Sequence, residues 1–81
     1  MKAKVYITLK QGVHDVQGEA VLGTLKHMGF KGVDDVRVGK YIELRLDDLS
    51  RSQAETRVKA MCEKLLANTV IESYSFEVID Q

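Results

Sequence analysis

The stretch MCEKLLANTVIE, Met61 to Glu72, holds the chain's single cysteine, followed directly by a carboxylate and a lysine. A thiol becomes a nucleophile when a helix N-terminus or a basic neighbour lowers its pKa. Cys62 has neither. It falls on the apolar stripe Ala54, Val58, Met61, Cys62, Leu65 and Leu66, whose spacing follows the 3.6-residue period of a helix that starts well upstream. Glu63 and Lys64 point about 100° and about 200° away around that helix. The spacing predicts a thiol kept in the interior, where desolvation raises its pKa.

The other chemistry-bearing residues are sparse. His14 and His27 are the only histidines, and no H-x-x-x-H, C-x-x-C or H-E-x-x-H spacing occurs, so no zinc site is expected. His14 precedes Asp15, a helix-capping residue, and His27 sits beside Lys26 at the edge of an apolar stripe. Asp34-Asp35 and Asp47-Asp48 are adjacent pairs at strand ends. Neighbours on a strand point to opposite faces, so these pairs read as solvated turn charges rather than an acid–base or Mg²⁺ site. Gly29-Phe30-Lys31-Gly32 matches the GxxG pattern with which KH domains clamp a nucleic-acid backbone. In those domains the loop joins two helices. Here it joins a helix to a strand, and a helix C-cap followed by a turn accounts for both glycines. No Walker A or G-x-G-x-x-G sequence and no aromatic RNP-type strand is present.

Eighty-one residues make one domain, spanning 1–81. A fold of that size buries only about 60 % of the surface its unfolded chain exposes, and association would supply more. Twelve basic and twelve acidic residues cancel, so no global field favours phosphate backbones or anionic membranes. One cysteine cannot form an internal disulfide, which fits a reducing compartment. The opening MKAKVYITLK is too short and too interrupted by lysine to read as a signal peptide, and no run reaches membrane-spanning length. A cytoplasmic chain binding neither nucleic acid nor membrane is expected.

Several elements must position these residues. Ala3, Val5, Ile7 and Leu9 alternate with Lys4, Tyr6, Thr8 and Lys10, the mark of a strand covered on one side. Asp15 opens a helix whose stripe is Val21, Leu22, Leu25 and Met28, ending near Gly29. Gly18 and Gly23 lie within it, a cost that close approach of a sheet or a neighbouring chain would offset. From Val33 to Asp48, Val36, Val38, Ile42, Leu44 and Leu46 are even-numbered, while Arg37, Tyr41, Glu43 and Arg45 are odd. That parity excludes a two-residue hairpin on Gly39-Lys40. It leaves a three-residue loop or one long strand bent at Gly39. The second helix carries overlapping capping boxes, Ser50 with Gln53 and Ser52 with Glu55, and Asn68 is its expected C′ residue. A last strand, VIESYSFEVI, would set Val70, Tyr74, Phe76 and Val78 on one face.

The expected fold is α+β, β-α-β(β)-α-β: a two-layer, ferredoxin-like sandwich with two helices on one face of a largely antiparallel sheet. The residues define no catalytic, cofactor or metal site. The odd-numbered strand face mixes charge with an aromatic, as interfaces do. Arg37, Gly39, Lys40, Tyr41 and Glu43 are the candidate partner-contact residues.

Three blocks resemble one family: Asp15-Val16-Gln17-Gly18; Val36 to Tyr41 with Glu43-Leu44; and the long run Met61 to Glu72. They are similar to PurS, the small subunit of multi-chain phosphoribosylformylglycinamidine synthase in purine biosynthesis, over Lys4 to Val78. One departure is Val16, where the family usually has proline; proline at that position only pre-sets helical φ. The resemblance implies an assembly that uses ATP and glutamine to convert formylglycinamide ribonucleotide to formylglycinamidine ribonucleotide, releasing glutamate, ADP and phosphate. It places ATP and Mg²⁺ on a PurL-like synthetase subunit and the ammonia-releasing thiol on a PurQ-like glutaminase. It ascribes self-association (dimer or tetramer) and bridging to PurS, with no catalytic residue and no cofactor. Two other function classes stand beside it: a small-ligand regulatory module on the same sandwich, and a nucleic-acid binder using the Gly29–Gly32 turn.

Overall fold

The structure is a computed structural model that describes residues 1–47 and 49–80. Its order is β1 (Lys2–Leu9), α1 (Val16–His27), β2 (Lys40–Arg45), α2 (Arg51–Met61) and β3 (Glu72–Ile79). The sheet runs β2-β1-β3 with both pairings antiparallel. This is the α+β order and antiparallel sheet that the sequence predicts.

The even–odd alternation of β1 works as expected. Ala3, Val5 and Ile7 are buried with Leu46 and Val78, beneath Ala54, Val58 and Cys62 of the second helix. Ser50 caps that helix through a complete capping box: its hydroxyl accepts from the Gln53 N–H, and the Gln53 side chain accepts from the Ser50 N–H.

The end of this helix departs from the simple 3.6-residue stripe. Cys62 to Leu66 form a π turn, with the Ala67 N–H donating to the Cys62 carbonyl at 2.9 Å. A π turn closes its hydrogen bond over five residues rather than the four of an α turn. The inward positions therefore slip forward: Ala67 is buried, whereas Leu65 is 82 % exposed and Met61 also faces water. Ala67, in extended conformation, is the helix cap in place of the expected Asn68. Asn68 instead builds a turn, accepting from Val70 N–H through its side chain and from Ile71 and Glu72 N–H through its carbonyl. Val70 lies in that turn, 80 % exposed, and the strand starts only at Glu72.

Cover of the sheet is uneven. α1 contributes no side chain to the buried core; Gly18 is its only buried residue. Val21 and Met28, expected to face the sheet, are 42 % and 66 % exposed. Gly23 meets nothing within 4 Å, so only Gly18 has the close approach foreseen for both glycines. The protein is 49 × 28 × 14 Å, with a radius of gyration of 16.1 Å. A compact chain of this length would give about 12 Å. The excess length reflects an arm, residues 10–39, that carries a helix but little of the core.

Between α1 and β2, residues 33–39 carry no strand and no helix. Among the described residues neither arrangement the parity allowed is present: there is no hairpin at Gly39, and no long strand, because β2 begins only at Lys40, where it pairs with β1.

Candidate subunit interface

The arm is fastened by one carboxylate. Asp15 caps α1 by accepting from the Gly18 N–H at 2.8 Å through Oδ1. Through Oδ2 it accepts from the Val38 N–H, also at 2.8 Å, twenty-three positions along the chain. These two backbone donors hold its pKa below the usual carboxylate value, with Arg37 adding a smaller pull. Arg37 Nε lies 3.7 Å away, while its Nη2 donates to the Leu9 carbonyl at 2.6 Å. Gly18 completes the fastening. A Cβ there would overlap the Val36 carbonyl oxygen and stand 2.7 Å from Asp15 Oδ2. Gly39 plays the same part against β1, because a Cβ would overlap the Ile7 carbonyl oxygen.

The third block joins the other two. Glu72 Oε1 accepts from the Asn68 N–H at 2.7 Å, which lowers its pKa, and its Oε2 lies 3.5 Å from Lys40 Nζ. Three segments far apart in sequence therefore meet at one end of the sheet. They border a shallow notch of about 210 Å³ lined by Thr8, Gln17, Gly39, Lys40 and Glu72.

The sheet face away from the core carries an aromatic and charged ladder. Tyr6 stacks on Tyr41 with ring centroids 5.4 Å apart. Their hydroxyls donate to Glu77 and Glu43, each at 2.8 Å. Desolvation, then the bond to Glu43, pushes Tyr41 up to about 12. Lys2 lies 3.0 Å from Glu43 and helps to hold that carboxyl low. The five candidate contact residues thus divide by role. Tyr41 and Glu43 stand on this open face. Arg37 and Gly39 fix the path of the arm, and Lys40 ties β2 to Glu72.

The remaining candidates resolve simply. Cys62 is fully buried, and desolvation followed by the nearby Glu63 carboxylate raises its thiol pKa. His14 Nε2 lies 2.9 Å from Glu19 on the surface. Asp34, Asp35 and Asp47 are exposed; Asp48 lies outside the described residues. No cluster of three potential metal ligands occurs among the described residues. Gly29 and Gly32 have φ of +92° and +87°. Gly29 sits at C′ of a Schellman cap, with Phe30 N–H donating to the Leu25 carbonyl and Gly29 N–H to that of Lys26. Among the described residues no helix is long and apolar enough to cross a membrane. Sequence reasoning placed the Asp15 cap but missed its second acceptor role, for which a lone aspartate gives no signal.

A small α+β domain with an exposed helix face, an unpaired segment and an open sheet edge presents surface of the kind that association buries. Comparison with known proteins gives the family. The model of PurS, phosphoribosylformylglycinamidine (FGAM) synthase, matches residues 2–80. The chain is 53 % identical over 77 residues to the phosphoribosylformylglycinamidine synthase subunit PurS of Bacillus subtilis, covering 95 % of this chain and 90 % of that one. It is 49 % identical to the PurS subunit of Archaeoglobus fulgidus over 93 % of this chain and 94 % of that one. The solved B. subtilis PurS superposes with a TM-score of 0.87 at 52 % identity, over 98 % of both chains. A chain of the Thermotoga maritima PurLQS structure superposes with a TM-score of 0.86 at 31 % identity, over 94 % of this chain and 93 % of that one. The chain belongs to the PurS family.

Proposed function

We propose that this chain is the small, non-catalytic subunit of a multi-chain FGAM synthase, acting in the cytoplasm in purine biosynthesis. In this reading it binds further copies of itself and joins a PurL-like synthetase to a PurQ-like glutaminase. ATP and Mg²⁺ belong to the PurL-like partner. The observation that carries the reading is full-length membership of a family whose curated members are named as subunits of this synthase. The superposition on a chain of the T. maritima PurLQS structure supports it.

The physical contribution is positioning. Ammonia released at one site must reach the other without escaping into water, so the two catalytic chains need a closed and aligned interface. A symmetric oligomer presenting one rigid surface more than once can hold them so. Arg37, Gly39, Lys40, Tyr41 and Glu43 are the proposed contact set. The test is co-elution of the chain with PurL-like and PurQ-like subunits, with and without glutamine and nucleotide. Assembly into one species is expected; separate elution under every condition would refute the reading.

A further inference from the structure

We propose that the open face of the sheet binds a nucleoside polyphosphate, with the base stacked on Tyr41, the ribose against Glu43 and the phosphates on Lys2 and Arg45. Binding does not rest on the subunit role. Tyr41 and Glu43 also belong to the contact set proposed above, so nucleotide and partner chain would meet on one face.

The backbone ladder sets the order of groups. The Leu46 N–H donates to the Met1 carbonyl at 2.9 Å, and the Met1 amino group donates to the Leu46 carbonyl at 3.2 Å. Hydrogen-bonded and non-bonded pairs alternate along an antiparallel ladder, and the non-bonded pairs bring side chains closest. By the observed register Lys2–Arg45, Lys4–Glu43 and Tyr6–Tyr41 are the non-bonded pairs, and they are the residues of the open face. β3 adds Glu77 beside Lys4. Three rows therefore follow one another: two aromatic rings, then two carboxylates flanking a lysine, then two cations. Alternate residues of a strand lie about 7 Å apart, which puts about 14 Å between Tyr41 and Arg45. Base, sugar and a chain of phosphates follow in that order over a comparable length.

Each row has capacity for its part of the ligand. Tyr6 covers one face of the Tyr41 ring, and Tyr41 remains 50 % exposed on the outer strand. Its hydroxyl bond to Glu43 already fixes the ring, so stacking a base requires little further ordering. Glu43 accepts from Tyr41 through Oε1 and lies 3.0 Å from Lys2 through Oε2. A carboxylate has about four lone-pair sites, which leaves acceptors for ribose hydroxyls. Lys2 and Arg45 line a hollow of about 290 Å³ with Glu43 and Leu44. Cations directly opposed across two strands repel. Lys2 shares the Glu43 carboxylate, whereas Arg45 makes no ion pair among the described residues. A phosphate between the two replaces repulsion by charge-assisted bonds, and the guanidinium can meet it with two parallel donors.

The test is calorimetric titration of the full chain with ATP, adenosine and inorganic triphosphate at one ionic strength. ATP is expected to bind, and each of the other two at least tenfold more weakly, because each fills only part of the face. Arg45→Gln, at an exposed position, is expected to weaken ATP binding about tenfold, and Tyr41→Ala by a similar factor. Arg57→Gln removes the same charge from α2, on the core side of the sheet, and should leave binding unaltered. A second measurement keeps the site testable even where Tyr41→Ala fails to fold: added ATP should shift the amide resonances of Lys2, Tyr41, Glu43 and Arg45. The proposal is overturned by a chain that takes up no ATP at millimolar concentration, or binds inorganic triphosphate as well as ATP. Equal losses in Arg45→Gln and Arg57→Gln, or amide shifts confined to other residues, overturn it too. Each of these results leaves the subunit reading standing.

Discussion

Replacing Gly18 by alanine tests the arm fastening, because ordinary helix energetics predict the opposite sign. In a solvated helix the change stabilises by roughly 0.5–1 kcal/mol, since glycine loses more backbone entropy on folding. At Gly18 the added methyl would overlap the Val36 carbonyl oxygen and crowd Asp15 Oδ2 at 2.7 Å. Backbone must move, and overpacking of this kind costs about 1–3 kcal/mol. The net expectation is a loss of about 1–2 kcal/mol. Gly23 is the internal control, on the same helix with nothing within 4 Å of an added Cβ. Gly23→Ala is expected to gain roughly 0.5–1 kcal/mol. In a domain of this size the two variants should differ by roughly 10 °C in Tm. The assay is urea and thermal unfolding at one fixed chain concentration, because self-association makes Tm concentration-dependent. A Gly18→Ala chain as stable as the Gly23→Ala chain would refute the close approach of Val36 to α1.

Other residues give further outcomes. The Asp15 pKa is lower in the fold than in the unfolded chain, so its stabilisation is complete above about pH 4 and disappears as pH falls through the folded value. Asp15→Asn keeps the Gly18 cap but turns an amide donor toward the Val38 N–H; faster hydrogen exchange at Val38 and a shallower acid limb of the stability curve are expected. Cys62 should resist a mild alkylating reagent until the chain unfolds, so labelling of the folded protein at the rate of a free thiol would contradict its burial. Val58→Ala should cost about 1–3 kcal/mol from a fully buried site, whereas Leu65→Lys should stay within about 0.5 kcal/mol in the isolated chain; reversed effects in urea titrations would deny the π turn.

The parts of the fold legible in sequence were those with one strong local cause. Period-two alternation fixed the buried face of β1, the Ser50–Gln53 pair marked the start of α2, and Gly29 marked the end of α1. The errors arose where a non-local term competed. The stripe through Leu65 assumed uniform α geometry, and a π turn moved Ala67 inward in its place. The stripe Val21–Leu25–Met28 is amphipathic, yet nothing in a single sequence says whether a partner chain or its own sheet covers it. Of the interface set, Tyr41 and Glu43 could be placed on a face by parity. The link from Asp15 to Val38 spans too much chain for any local pattern to reveal.

The proposed contribution of this chain is placement, with no chemistry of its own. The most direct measurement compares FGAM synthesis driven by glutamine with synthesis driven by added ammonia, using PurL-like and PurQ-like partners with and without this chain. Omitting the chain is expected to abolish the glutamine-driven reaction and to leave the ammonia-driven one largely intact. Equal glutamine-driven rates with and without it, or glutamine hydrolysis by the purified chain alone, would contradict the claim.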